Sequence, residues 1–103
     1  MGSHDNFTSE RVAGFKCEPG KQQTIYWDGK LVGLGLRVTK KGTKAYIFEG
    51  RLKGKTIRMT IGSPAVWPLE SQWRYDSATG KEVIHFLGAR DKAKEYSVEL
   101  GKG

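Results

Sequence analysis

Three short segments of alternating apolar and polar residues follow one another between residues 33 and 62, with only tight joints between them. The segments are residues 34–39, 45–52 and 56–61, and the joints are residues 40–44 and 53–55. A period of two is typical of a strand with one buried face, and consecutive strands joined by tight turns pair in the antiparallel sense. The sequence therefore predicts a small antiparallel sheet with lysine-rich turns.

The alternation divides these strands between two faces. One face is apolar and is predicted to form the core: Leu36, Val38, Tyr46, Phe48, Met59 and Ile61. The reverse face carries mainly arginine and threonine: Arg37, Thr39, Ile47, Glu49, Arg51, Thr56, Arg58 and Thr60. Alternate side chains on a strand stand about 6.6 Å apart, so this face can present polar groups at successive base steps. An ordinary hydrated sheet face also carries Arg and Thr.

Positive charge is concentrated on the same segment. Residues 30–58 hold nine lysines and arginines against one acid, Glu49, a local charge of +8 in a chain whose net charge is +7. Concentrated charge of one sign attracts polyanions, and a pI near 9.7 is typical of nucleic-acid-binding domains. The alternative is a surface that only maintains solubility.

The segments upstream of the sheet are short. Thr8 is predicted to cap a brief helix, and residues 24–27 have the composition of a strand. Asp28-Gly29 is typical of a turn with positive backbone angles. Gly33 and Gly35 indicate a close backbone approach or a bulge.

Downstream of the sheet, residues 72–75 and 82–86 flank a polar turn and predict a second hairpin. The periodicity then becomes helical over residues 89–100, and Gly101 is predicted to end that helix. The apolar stripe of the helix, which we expect to lie on the apolar face of the sheet, consists of Ala89, Ala93, Tyr96 and Leu100.

These elements predict an α+β fold. A three- to four-stranded antiparallel sheet packs on a C-terminal helix, and an extra hairpin is inserted before the helix. The length of 103 residues suits one domain. We expect residues 7–103 to form that domain and residues 1–6 to be a flexible N-terminus or a tag remnant.

Little in the sequence favours catalysis or a cofactor. The soft metal ligands Cys17, His4 and His85 lack the spacing of a metal site, so we expect neither a metal nor another cofactor. A Cys17–His85 nucleophile pair is the remaining catalytic alternative, although lone cysteines are usually inert. A single cysteine suits a reducing compartment, and no apolar run approaches the roughly 20 residues of a membrane helix. We expect a cytoplasmic protein with no membrane partner and no small-molecule substrate.

Ten short blocks occur in an order and spacing that resemble the amino-terminal, arm-type DNA-binding domain of phage and prophage tyrosine-recombinase integrases. Typical blocks are Trp27-Asp28-Gly29, the run Gly33-Leu34-Gly35-Leu36-Arg37-Val38-Thr39, and Met59-Thr60-Ile61-Gly62. The full set covers residues 7–8, 11–12, 15–16, 19–21, 27–29, 33–39, 42–48, 51–55, 59–62 and 89–93.

The resemblance implies sequence-specific binding of double-stranded DNA at arm-type sites, with the sheet in the major groove. It also implies a cytoplasmic, nucleoid-associated location in a bacterial host, and other integrase domains or protomers as partners. The residues expected to contact bases or inner phosphates are Arg37, Thr39, Ile47, Glu49, Arg51, Arg58 and Thr60. The lysines expected to contact flanking phosphates are Lys40, Lys41, Lys44, Lys53 and Lys55.

The resemblance further implies that recombinase catalysis belongs to a separate domain, so this chain is not expected to be an enzyme. None of the four tyrosines, Tyr26, Tyr46, Tyr75 and Tyr96, is interpreted as the nucleophile.

The chain departs from the family pattern in two places. The family often has basic residues at the positions of Ile47 and Glu49. Glu49 can accept from a cytosine amine, or it can pair with Arg37 or Arg58. The segment 63–87 is longer than the usual connection, and its extra hairpin can extend the sheet or contact a neighbouring domain.

Two other functions remain open at this point. One is an RNA-binding or single-strand-binding module that stacks bases on Tyr46, Trp27 or Trp73. The other is a protein-interaction domain that uses the edge of the extra hairpin.

Overall fold

The computed structural model describes residues 6–102. The expected tail or tag remnant at residues 1–6, including His4, lies outside the described residues except for Asn6. Two helices and six strands follow one another along the chain: α1 Ser9–Gly14, β1 Gln23–Trp27, β2 Leu34–Thr39, β3 Lys44–Leu52, β4 Lys55–Gly62, β5 Gln72–Asp76, β6 Lys81–Phe86 and α2 Ala89–Lys102.

The strands form two separate antiparallel sheets. The first has the order β1-β2-β3-β4, and the second consists of the hairpin β5-β6 alone. Helix α2 packs on the first sheet through residues of the same hydrophobic cluster. The predicted α+β fold with an inserted hairpin is confirmed.

The turn between β3 and β4 shows why these strands form a hairpin. Its two central residues, Lys53 and Gly54, have φ angles of 51° and 81°. Two successive positive values define a type I′ turn, whose twist matches the twist of the flanking strands. The strands therefore continue in register up to Leu52 and Lys55.

The predicted core face is confirmed. Five of its six predicted residues are almost inaccessible to solvent, and the sixth, Met59, is partly buried against them. Helix α2 covers this face with the predicted stripe, of which Ala89 and Ala93 are fully buried. Small helix residues and a glycine allow close packing, since a Cβ at Gly50 would lie only 2.5 Å from the Leu100 side chain. The buried sheet residues on this face are Leu34, Leu36, Val38, Tyr46, Phe48 and Ile61.

A buried ion pair joins α2 to the loop after β1. The Arg90 guanidinium donates to both carboxylate oxygens of Asp28, from Nε at 2.9 Å and from Nη2 at 3.1 Å. It also donates to the Phe7 carbonyl at 2.9 Å and to the Glu70 carboxylate at 3.0 Å. The Asp28 carboxylate in turn accepts from the backbone N–H groups of Phe7 and Lys30. One arginine thus links four separate segments of the chain.

These hydrogen bonds determine the protonation of Asp28. Burial acts to raise the pKa of its carboxyl, but the bonds from Arg90, Phe7 and Lys30 favour the ionised form and hold the pKa below its ordinary value. Asp28 is therefore a charged residue inside the fold, fully compensated by its partners.

Two local predictions were wrong. The turn predicted at Asp28-Gly29 is part of a longer loop over residues 28–33, and neither residue has the predicted positive φ angle. The positive φ of this loop lies at Gly33, 97°, where a Cβ would clash with the Phe48 ring at 2.6 Å. The close approach predicted for Gly33 and Gly35 is confirmed, since a Cβ at Gly35 would lie 2.9 Å from the Trp27 ring. Gly101 does not end α2, which continues to Lys102.

We predict that Asp28→Ala destabilises the fold by about 3–5 kcal/mol, because it leaves the Arg90 charge buried without its main partner. The control is Glu70→Gln, since the Glu70 side chain is 58% exposed and the change should cost less than about 1 kcal/mol. Urea unfolding followed by tryptophan fluorescence measures both values. Equal losses in the two variants would contradict the assigned role of Asp28.

We also predict a pH dependence that Asp28→Asn removes. Because the pKa of Asp28 is lower in the folded than in the unfolded protein, its stabilising contribution is complete above the unfolded value, about 3.9, and disappears as the pH falls through the folded value. The difference in free energy of unfolding between the wild type and Asp28→Asn should therefore shrink below about pH 4. A difference that does not change with pH would show that the Asp28 carboxylate contributes nothing through its charge.

Candidate nucleic-acid interface

Helix α2 covers one face of the four-stranded sheet, and no helix within residues 6–102 covers the other face. We call this second face the polar face. It is defined by the strand register, in which directly paired residues share a face: Glu49 with Arg58, Arg51 with Thr56, Ile47 with Thr60, and Arg37 with Ala45. The predicted placement of Arg37 and Arg58 on a common face, away from α2, is confirmed.

The polar face forms a narrow strip. Arg37 is level with Ala45, and Arg51 lies six residues further along β3, a distance of about 20 Å at 3.3 Å per residue. Only β4 pairs with β3 beyond Glu49, because the pairing with β2 ends at Phe48. The end of the strip that carries Arg51 and Thr56 is therefore a protruding two-stranded ribbon.

Lysines occupy the turns at both ends of the strip. Lys40 and Lys41 lie in the β2–β3 turn, and Lys53 and Lys55 lie at the β3–β4 turn. All four are exposed, and none forms an ion pair with another residue of the range 6–102. The Thr39 hydroxyl, predicted to contact DNA, accepts from the backbone N–H of Thr43 at 3.1 Å and so closes the first turn.

Glu49 and Arg58 form an ion pair in the middle of the strip. Nε and Nη2 of Arg58 donate to Oε2 of Glu49 at 3.0 and 2.6 Å. The side chains are 29% and 43% exposed, respectively. Of the two arginines that the sequence left open as partners of Glu49, the structure selects Arg58.

The prediction for Ile47 was wrong. It was expected among the residues that contact DNA, but its exposed fraction is 0%. Its neighbours across the strands are Gly35 and Thr60, and the Trp27 ring lies over Gly35. Ile47 therefore forms part of an apolar floor beneath the polar face and has no surface to offer a base.

Lys44 is separated from the other predicted phosphate-binding lysines. It pairs with Val38, whose side chain is in the core, so Lys44 projects from the opposite face of the sheet. Its Nζ donates to the carbonyls of Val12 and Ala13 at 2.9 and 2.6 Å. These carbonyls belong to the last turn of α1, where a cation is favourable. Lys44 thus stabilises a helix end in this structure.

The aromatic residues of the single-strand alternative are placed differently from one another. Tyr46 is 2% exposed and is part of the core, so it cannot stack on a base. Its burial raises the pKa of its hydroxyl to about 12. Trp27 lines a concavity of about 320 Å³ together with Val32, Gly33 and Glu49. Trp73 is 55% exposed in the second hairpin.

The second hairpin exposes several large apolar side chains in addition to Trp73. These are Tyr75 at 66%, Ile84 at 44% and Phe86 at 50%. Because β5 and β6 pair only with each other, the hairpin does not extend the main sheet. A role of this hairpin in protein interaction stays a prediction.

The described residues give no support to a metal site or a membrane helix. Within residues 6–102, no group of three His, Cys, Asp or Glu side chains is arranged to hold a metal. The Cys17 thiol donates to the Lys21 carbonyl at 3.4 Å, and the His85 ring contacts Phe86. No helix in this range is long and apolar enough to cross a membrane.

Sequence reasoning did not find the position of Trp27 on the polar face or the structural role of Lys44. Trp27 lies on the polar face because it pairs with Gly35, and β1 thereby extends the apolar floor. The alternation of residues 24–27 could have indicated this position, but a segment of four residues does not show which of its two faces turns toward the core. The structural role of Lys44 had no sequence signal, since its carbonyl partners lie 31 and 32 residues away.

Comparison with known proteins supports the resemblance found in the sequence. The chain is 41% identical over 68 residues to the prophage integrase IntF of Escherichia coli K12. This match covers 66% of the chain but only 14% of the length of IntF. No protein-family model matches the chain, and no solved structure matches it significantly.

We predict that Lys44→Met lowers the free energy of unfolding by about 1–2 kcal/mol, because two carbonyls of α1 lose a charged donor. Lys41→Met is the matched control and should change stability by less than about 0.5 kcal/mol, since Lys41 is exposed. Urea denaturation in the absence of DNA measures both. If both variants are as stable as the wild type, the contact with α1 contributes nothing.

Proposed function

We propose that this domain, which is of the phage-integrase amino-terminal type, binds double-stranded DNA through the polar face and thereby serves integration or recombination. The observation that carries the proposal is the strip of arginine and threonine side chains with unpaired lysines at both ends. The chain is similar to a prophage integrase, a class of protein for which DNA is the natural polyanion. We propose residues 7–103 as the extent of the DNA-binding domain.

The shape of the strip suits the major groove. That groove is about 12 Å wide and admits a two-stranded ribbon, and neighbouring strands lie about 4.8 Å apart. The protruding end of β3 and β4 would enter deepest and would carry Arg51 and Thr56 to the base edges. A strip of about 20 Å is long enough to span about six base pairs at 3.4 Å each.

The charges suggest a division of labour. Arg37 and Arg51 make no ion pair with another described residue, so their guanidinium groups are available for guanine edges or inner phosphates. Thr39 and Thr60 would add short-range polar contacts. The turn lysines would bind flanking phosphates and determine the register of the protein on the duplex: Lys40, Lys41, Lys53 and Lys55.

The remaining features follow from this assignment. Arm-type sites of an integrated element are the proposed targets, and the bacterial cytoplasm and nucleoid are the proposed location. The polar face offers binding groups rather than a nucleophile with a base, so we propose that the strand-cleaving chemistry does not occur on this domain.

The test compares Arg51→Ala with Lys41→Ala, two exposed positions that lose the same charge. A gel-shift titration uses duplex arms of the attachment site of the element that encodes the chain, beside a scrambled duplex. Arg51→Ala should weaken binding to the arm duplex by about 1–3 kcal/mol and leave the scrambled duplex less affected. Lys41→Ala should weaken both duplexes equally and reduce the salt slope by about 0.9.

If the four turn lysines contact phosphates, a plot of the logarithm of wild-type affinity against the logarithm of salt concentration should have a slope of about −3.6 or steeper. Identical behaviour of the two variants would contradict the division of labour. Equal affinity for the arm and scrambled duplexes, or tighter binding of single strands, would contradict sequence-specific duplex binding.

A further inference from the structure

We propose that Glu49 and Arg58 act as one unit that reads a single C·G base pair, so that Glu49 is a specificity-determining residue. This inference rests on the proposed binding of duplex DNA by the polar face. In this arrangement Glu49 lowers the non-specific attraction of Arg58 for DNA and raises the selectivity for one base pair.

The hydrogen bonds within the pair leave free groups on both side chains. Both bonds from Arg58 end on one carboxylate oxygen of Glu49, Oε2. The other oxygen, Oε1, accepts no hydrogen bond from the described residues, and Nη1 of Arg58 donates none to them. Two of the five guanidinium N–H groups are used, so a free acceptor lies beside free donors.

The pair lies at a supported and partly exposed position on the polar face. Glu49 and Arg58 are directly paired across β3 and β4, next to the Ile47–Thr60 pair. Ile47 is fully buried, which provides a rigid base beneath the pair. The two side chains stay partly exposed, at 29% and 43%, so a ligand can reach the pair.

A C·G base pair matches this arrangement in the major groove. Cytosine presents its N4 amine as a donor, and guanine presents N7 and O6 as two adjacent acceptors. The free oxygen of Glu49 would accept from the cytosine amine while the remaining fork of Arg58 donates to guanine. An A·T pair offers only one purine acceptor, and its thymine O4 would face the carboxylate.

The same pair is unfavourable toward phosphates. The carboxylate of Glu49 neutralises Arg58, so this pair adds nothing to the general attraction that the turn lysines exert on any DNA. Glu49 would also repel a phosphate that approached Arg58. Glu49 would therefore suppress binding at sites that lack the matching base pair.

The test is selection of binding sites from a randomised duplex pool by the wild type, Glu49→Gln and Arg58→Lys. Glu99→Gln is the control, because it removes the same charge from the exposed side of α2, away from the polar face. Sequencing of the bound fraction gives the base preference at each position. Titration of an unselected duplex at several salt concentrations gives the non-specific affinity.

The wild type and Glu99→Gln should select C·G at one position. Glu49→Gln should reduce the preference for C at that position by at least about five-fold. It should also bind unselected duplex more tightly, with a salt slope steeper by about 0.9, because Arg58 becomes free for a phosphate. Arg58→Lys should lose the preference for G at the same base pair, since lysine has no bidentate fork.

Selection of the same sequences by the wild type and Glu49→Gln would overturn the inference. A preference that Glu49→Gln loses at an A·T pair, and not at a C·G pair, would also overturn it. Those results would leave duplex binding by the polar face intact. If the wild type enriches no duplex from the pool, the proposed function itself fails. Thermal unfolding of each variant confirms that a changed preference is measured on folded protein.

Discussion

The buried ion pair between Asp28 and Arg90 determines how the parts of this protein fit together. It joins α2 to the loop between β1 and β2, and through Phe7 and Glu70 it also holds the N-terminal segment and the segment before β5. A buried charge without its partner is strongly destabilising, so the ion pair holds these four segments in the arrangement observed. That arrangement places α2 across one face of the sheet and leaves the other face open.

The division between the two faces follows from side-chain size as well as from polarity. On the core face, Gly50, Ala89 and Ala93 allow α2 to approach closely. On the polar face, the buried Ile47 and the Trp27 ring over Gly35 form an apolar floor. The charged side chains therefore stand on packed residues, which favours a fixed orientation over a mobile one.

The structure also shows how much of the positive charge is available to a ligand. Nine basic residues lie between residues 30 and 58, but three of them already have partners: Lys30 lies near Glu70, Lys44 holds the end of α1, and Arg58 is paired with Glu49. The remaining six cations lie on the polar face or in its turns. They are Arg37, Lys40, Lys41, Arg51, Lys53 and Lys55. Charge summed over a segment thus exceeds the charge available to a ligand.

The sequence by itself determined strands β2, β3 and β4, their antiparallel order and the assignment of their side chains to two faces, because alternation and turn chemistry act between near neighbours. It also indicated the helix stripe of α2 for the same reason. Only the tertiary structure decided which charges are paired and which apolar residues are covered. Asp28 and Arg90 are 62 residues apart, and the burial of Ile47 depends on residues from three other strands. Such contacts depend on how distant segments meet, and no local pattern in the sequence encodes that meeting.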